Sequence, residues 1–213
     1  IIDLMGKGLM TEEDFQEILP DLSKSIDGVT MLLENLLAWS RSQLKGEFMD
    51  KVVFDINKLI RQQRNLMQSI AASKKISLEL VMPDSIMVFA DKNMVELVIR
   101  NLLNNAIKFC EMGDNILVTI KDEKDQVRIS VKDTGMGISK SNLNRLRSGD
   151  SFSTFGSNNE SGTGLGLMLV RDYVEKNGGN LWIESEEHQW SEFSFMLPKV
   201  NMDSGGSRVS SVT

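Results

Sequence analysis

Cysteine is nearly absent. Cys110 is the only one in 213 residues, so no intrachain disulfide can form, and the composition fits a reducing, cytoplasmic compartment. Cys110 itself reads as a small buried hydrophobe. Histidine is just as scarce: His188 stands alone, in Glu186-Glu187-His188-Gln189, where it reads as a surface turn residue. Positive charge is in short supply, with 24 Lys and Arg against 30 Asp and Glu and a net charge of −6. That excludes a nucleic-acid partner, which needs a basic stripe. It does not exclude a nucleotide, because one phosphate cradle takes only a few local groups. No apolar run approaches the ~20 residues of a membrane helix, and no basic segment leads into a short apolar core as in a signal peptide. A membrane would therefore be reached only through segments upstream. The opening Ile1-Ile2-Asp3-Leu4-Met5 lacks an initiator Met and reads as the start of a piece of something longer. Residues 200–213 are small and polar and read as a disordered tail.

What is present begins with a heptad seam. Phe15, Leu19, Leu22, Ile26, Val29, Leu33 and Leu36 recur at steps of four and three, and Ile18, Leu32 and Leu37 widen the stripe. Thr11 followed by Asp14 reads as an N-terminal capping box, and Pro20 predicts a local bend. Ile1–Met5 reads as the end of a preceding helix, stopped by Gly6 and Gly8. One helical hairpin cannot bury such a seam; two copies forming a four-helix bundle would, and packing against the rest of the chain is the other outcome. Lys45-Gly46-Glu47 breaks the pattern.

Beyond that break, Ile56–Ala72 predicts a helix, Ile76–Leu80 and Ile86–Ala90 two strands, and Met94–Phe109 a long helix. Ile116, Val118 and Ile120, then Val127, Ile129 and Val131, alternate as two further strands. Residues 139–161 are polar without a clear period, a length that suggests a functional lid. Leu167–Lys176 predicts a helix closed by Gly178-Gly179, and Leu181–Glu184 with Phe193–Leu197 a closing hairpin. Alternating strands bury one sheet face only, so the fold class is α/β, a two-layer sandwich with helices on one face.

Three segments carry chemistry. On the helix Met94–Phe109, Asn101, Asn105 and Lys108 fall at i, i+4 and i+7 and share a face. Two amides above an ammonium suit a metal-bound polyphosphate; an ordinary solvated face looks the same. A strand then runs into Asp133-Thr134-Gly135-Met136-Gly137-Ile138. A carboxylate there can accept from an adenine amino group, and the glycines let backbone approach a flat base or a phosphate. An aspartic protease also uses Asp-Thr-Gly, but it pairs two copies and this chain has one. Third, Gly162-Thr163-Gly164-Leu165-Gly166-Leu167 leads into a helix, whose N-terminus can hold phosphate. The polar loop before it excludes a dinucleotide fold, which needs a strand there. Phe152 and Phe155 either pin the lid or simply pack.

In order and spacing these elements resemble the GHKL ATPases, the Bergerat ATP-binding fold, and most closely the catalytic domain of sensor histidine kinases. Asn101–Phe109 is similar to the family's N box, Asp133–Ile138 to its G1 box, Phe152–Phe155 to a short F box and Gly162–Leu167 to its G2 box. Gly178–Ser185 and Phe193–Pro198 are similar to its closing hairpin. The resemblance covers residues 50–199 and implies ATP and Mg²⁺ as cofactors. It implies that Asn105 ligates Mg²⁺ with help from Asn101, that Lys108 contacts phosphate, and that Asp133 reads adenine. Phe109, Ile138 and Phe155 would line the pocket, and Gly135, Gly137, Gly162, Thr163, Gly164, Leu165, Gly166 and Leu167 would shape it and hinge the lid. Residues 1–46 resemble part of the family's dimerisation and phosphotransfer hairpin, without the acceptor histidine of its first helix. The implied activity passes the γ-phosphoryl of ATP to that histidine, then to an aspartate on a response regulator receiver domain, from a homodimer. Other GHKL enzymes place a glutamate base four residues before the metal asparagine; here that position is Asn101, which cannot act as a base. A silent nucleotide-binding scaffold is the remaining alternative.

Overall fold

The computed structural model describes residues 11–43, 49–148 and 164–200. The chain divides between Glu47 and Phe48 into two compact units. In the first, α1 (Glu12–Gln43) runs for 32 residues without interruption at Pro20. Its capping box is reciprocal: the Asp14 backbone N–H donates to Thr11 Oγ1 at 3.1 Å, and the Thr11 backbone N–H donates to Asp14 Oδ2 at 2.9 Å. The seam along α1 is largely open, with Ile26 and Val29 each 57% exposed and Leu33 52%. The preceding helix expected over Ile1–Met5 lies outside the described residues.

The second unit runs β1 (Lys51–Asp55), α2 (Ile56–Ser73), β2 (Ser77–Val81), β3 (Met87–Asp91), α3 (Lys92–Phe109), β4 (Asn115–Glu123), β5 (Gln126–Asp133), α4 (Lys140–Ser148), α5 (Leu165–Lys176), β6 (Leu181–Glu186), β7 (Trp190–Pro198). Five strands form one sheet in the order β2-β4-β5-β7-β6, with β2 and β4 parallel and the other neighbours antiparallel. Every second residue of the central strands is buried: Ile116, Val118 and Ile120 on β4, Val127, Ile129 and Val131 on β5, Phe193, Phe195 and Leu197 on β7. Helices α2, α3 and α5 pack on that face, and α3 buries Val95, Val98, Ile99, Leu102, Leu103 and Ala106 between the sheet and its neighbouring helices. The result is the two-layer α/β sandwich the alternation called for.

Two elements depart from the sequence expectation. The strand β1 was not anticipated; it pairs antiparallel with β3 in a separate two-stranded sheet, Val53 opposite Phe89. With Val52 and Val53 adjacent, its five residues show no clean alternation. The stretch from residue 139, expected to be aperiodic loop, contains the helix α4. Its only buried residue is Leu143, so no apolar stripe announces it. Two arginines secure it instead. Arg147 donates from Nε and Nη2 to the Ile183 carbonyl, and Arg171 Nη2 donates to the Leu146 carbonyl at 2.6 Å.

Buried polar groups lock the ends of α3 and α5. Asp91 caps α3 through Oδ1, which accepts from the backbone of Asn93 and Met94. Asn177, 1% exposed, accepts the Asp91 backbone N–H at 2.7 Å and donates to the Tyr173 carbonyl at 2.8 Å. The C-terminus of α5 is thereby fixed to the N-terminus of α3.

Candidate functional site

The C-terminal end of α3 and the turn after β5 meet through the backbone. Met136 N–H donates to the Phe109 carbonyl at 3.1 Å, joining the end of the helix that bears Asn105 and Lys108 to the loop that follows Asp133. Gly135 sits so close to that carbonyl that a Cβ would collide with it. Gly137 has φ +63, and a Cβ there would strike the Glu186 carbonyl. Both glycines are thus required by close approach of the chain's own backbone, the Phe109 and Glu186 carbonyls, where the sequence led one to expect a base or a phosphate.

Asp133 is 3% exposed. Its Oδ1 accepts the Gly135 N–H at 3.1 Å, and the Ser191 backbone of β7, paired opposite it, favours its charged form. Burial raises its pKa to about 6, with the nearby Asp114 charge adding to the rise and the two backbone donors opposing it. Asp114 organises the neighbouring turn: Thr134 Oγ1 donates to its Oδ1 at 2.8 Å, and the Glu111 N–H to its Oδ2 at 2.7 Å. Cys110 lies buried in the same region, its thiol pushed up to about 12 by burial and then by the charges of Asp133 and Asp114. It is an inert packing residue, as expected.

On α3 the three polar residues differ in exposure. Asn105 and Lys108 are half-buried, and Lys108 Nζ lies 5.0 Å from the Phe109 ring centre. Asn101 is 5% exposed, and its Nδ2 donates to the Leu97 carbonyl at 3.0 Å. Asn105 and Lys108 therefore form the accessible part of that face. Of the third segment, Gly164 is the left-handed N-cap of α5, at φ 72, with no side-chain hydrogen bond capping the helix. Leu165, Gly166 and Leu167 make up its half-buried first turn. Phe152, Phe155, Gly162 and Thr163 lie outside the described residues, as does the part of the expected 139–161 lid that follows α4.

Sequence reading missed the β6–β7 hairpin as part of this site. Ser185 Oγ accepts the Ile138 N–H at 2.8 Å, and the His188 N–H donates to the Met136 carbonyl at 2.7 Å. These contacts join residues some fifty positions apart, and the only signal for them was the pair of glycines, which demanded close backbone neighbours without naming them. The group set fits an adenine nucleotide: a buried acceptor, a glycine turn without room for side chains, an amide, an ammonium, and a helix start whose N-cap is a glycine.

A family model described as histidine kinase-, DNA gyrase B- and HSP90-like ATPase matches residues 90–201. The sensor protein GacS of Pseudomonas syringae pv. syringae is 29% identical over 94% of this chain and 23% of its own length. Sporulation kinase E of Bacillus subtilis is 35% identical over 67% of this chain and 19% of its own. The chain thus spans about a fifth of the length of these relatives. Among solved structures, full-length ShkA in complex with AMPPNP superposes with a TM-score of 0.70 at 26% identity, covering 89% of this chain and 40% of that one. With its sandwich fold, its glycine turn around a buried aspartate and these relatives, the chain belongs to the histidine kinase-, DNA gyrase B- and HSP90-like ATPase family, as a sensor histidine kinase ATPase domain.

Proposed function

We propose that these residues bind Mg²⁺ and ATP and donate the γ-phosphoryl group within a two-component sensor kinase. The observation that carries this is the buried Asp133 carboxylate, flanked by glycines that admit no side chain and tied by Met136 to the end of α3. Asp133 accepts from the adenine amino group, and Phe109 and Ile138 border the base. Lys108 offsets phosphate charge, and the N-terminal end of α5, behind Gly164, faces the phosphates with its dipole. Asn105 is the protein's ligand to Mg²⁺, with Asn101 supporting it. Among the described residues no group of three or more His, Cys, Asp or Glu is placed to hold a metal. A bound Mg²⁺ would accordingly rest on amide and phosphate oxygens, which it accepts, and it would neutralise charge on the phosphates. The site's own work is positioning and electrostatics, and the phosphoryl acceptor is a histidine on a dimerisation helix, followed by an aspartate of a response regulator.

Calorimetric titration tests the division of roles. Mg²⁺ should tighten ATP binding to the wild-type chain, and Asn105→Ala should remove about tenfold of that gain, the worth of ~1.4 kcal/mol. An Asn105→Ala chain that keeps the full Mg²⁺ response overturns the assignment.

The open seam of α1 points to a homodimer. Its apolar residues recur at heptad spacing over a 32-residue helix, and among the described side chains eight are at least 36% exposed, Ile18, Leu19, Leu36 and Leu37 included. A second copy supplies a partner of matching length and spacing. Light scattering over a concentration series should show mass rising toward that of two chains, and Leu33→Glu should return it to one. A strict monomer at the highest concentration would count against the dimer. Cytoplasmic placement belongs to the same proposal; among the described residues no helix is long and apolar enough to cross a membrane.

A further inference from the structure

One rung of the sheet links three strands beside the nucleotide turn. Asp133 on β5 stands opposite Ser191 on β7, and Ser191 stands opposite Ser185 on β6. From this rung the hairpin reaches the turn Gly135–Ile138 at several points. The pairing puts the Ser191 backbone beside Asp133. Ser185 Oγ accepts the Ile138 N–H at 2.8 Å, and its own hydrogen goes to the Trp190 carbonyl at 2.7 Å. That second bond matters, because it orients the hydroxyl so that a lone pair faces Ile138. Past Ser185, the Glu186 carbonyl lies against Gly137 and the His188 N–H bonds to the Met136 carbonyl. His188 takes a left-handed φ of 63 to make that turn, a strained value for a non-glycine residue. On its far side the turn is fixed by the Met136–Phe109 bond.

We propose that Ser185 is a positioning residue for the nucleotide: its hydroxyl fixes the Ile138 amide, and so sets the turn that shapes the adenine side of the site before ligand arrives. This rests on the reading of the Asp133 turn as the adenine site. The physical gain is preorganisation. A turn rich in glycine has much freedom to lose, and binding to a turn already ordered avoids that loss. Ser185 is well suited to the task because it sits on a paired strand rather than in a loop, so its own position is set by the β6–β7 ladder. It contacts no ligand directly, and it acts through backbone.

The test compares Ser185→Ala, Ser185→Cys and Ser185→Thr in the full chain, using ADP with Mg²⁺ in calorimetry and amide hydrogen exchange without nucleotide. Ser185→Ala should weaken ADP about tenfold, the size of one hydrogen bond left unmade beside the site, and the Ile138 amide should exchange about tenfold faster. Ser185→Thr, which keeps the hydroxyl, should stay within about twofold of wild type on both measures. Ser185→Cys keeps the size with a weaker acceptor, so it reports even if the alanine variant folds poorly; it should fall between the two. Faster Ile138 exchange with unchanged ADP affinity in Ser185→Ala or Ser185→Cys overturns the proposal while leaving the adenine site standing. A wild-type chain that binds no ADP overturns both.

Discussion

Replacing Asp133 with alanine should lower adenine-nucleotide affinity about 10- to 100-fold, the range expected when a buried acceptor of a ligand N–H is removed. Asp133 is 3% exposed and its carboxylate accepts the Gly135 amide, so it is held in place before any ligand arrives. The same burial gives the interaction a pH dependence. With the Asp133 pKa raised to about 6, mainly by burial, the ionised acceptor is lost as pH falls through that value, and binding should weaken progressively below it. Adenosine is the right probe, since it carries no phosphate to titrate. Stability should move the other way. The folded chain holds the Asp133 proton more tightly than the unfolded chain, whose value is the ordinary 3.8. The contribution of this group therefore rises as pH falls from about 6 toward about 4, and at neutral pH the buried charge costs on the order of 3 kcal/mol. Asp133→Asn should remove that slope from the pH profile of denaturant unfolding while also removing adenosine affinity. A variant with unchanged adenosine binding, or with the wild-type stability slope, contradicts the assignment.

The parts of this site that were legible in the sequence are those whose chemistry is local. Asp133 with Gly135 and Gly137 stood out because glycines after a strand-end carboxylate signal a close backbone approach, and the structure gives that approach to the Phe109 and Glu186 carbonyls. The stripe Val95 to Ile107 located α3, and its spacing placed Asn105 and Lys108 together. What the sequence did not disclose were contacts whose partners lie far along the chain. Nothing in Glu184-Ser185-Glu186 tells that Ser185 supports Ile138, 47 positions earlier. The same holds for α4, which buries a single leucine and is held by arginines bonded to carbonyls of other elements. It holds again for β1, where pairing with β3 overrides a sequence too short to show a period. Asn101 is a subtler case. Helical spacing put it on the face of Asn105, yet one turn further back that face is already covered, and the amide turns to Leu97. Periodicity gives direction around a helix; depth along it is set by what packs there.

These 213 residues should bind ATP and yet acquire no phosphohistidine. The only histidine is His188, exposed in the turn between β6 and β7, with its backbone N–H fixed to Met136. That turn braces the loop of Asp133, the adenine end of the proposed site. The γ-phosphate would lie at the other end, toward Asn105, Lys108 and the start of α5. Phosphoryl transfer needs the acceptor nitrogen in line with the γ-phosphate at close range, and losing that geometry removes an effective-molarity advantage on the order of 10⁵. His188 lies in the turn at the adenine end, its backbone tied to Met136, and among the described residues no element presents it to the phosphate end. Water is a poor substitute acceptor, because Asn101 stands where related ATPases carry a glutamate and an amide cannot take a proton. Slow hydrolysis should accompany the absence of labelling. With γ-labelled ATP, the chain should incorporate no more acid-labile, base-stable label than its His188→Gln variant. A version extended upstream through a helix bearing a histidine followed by an acidic residue should be labelled at that histidine. Label on His188 itself would overturn this division of roles. An extended chain that binds ATP and stays unlabelled would favour a nucleotide-binding scaffold over a kinase.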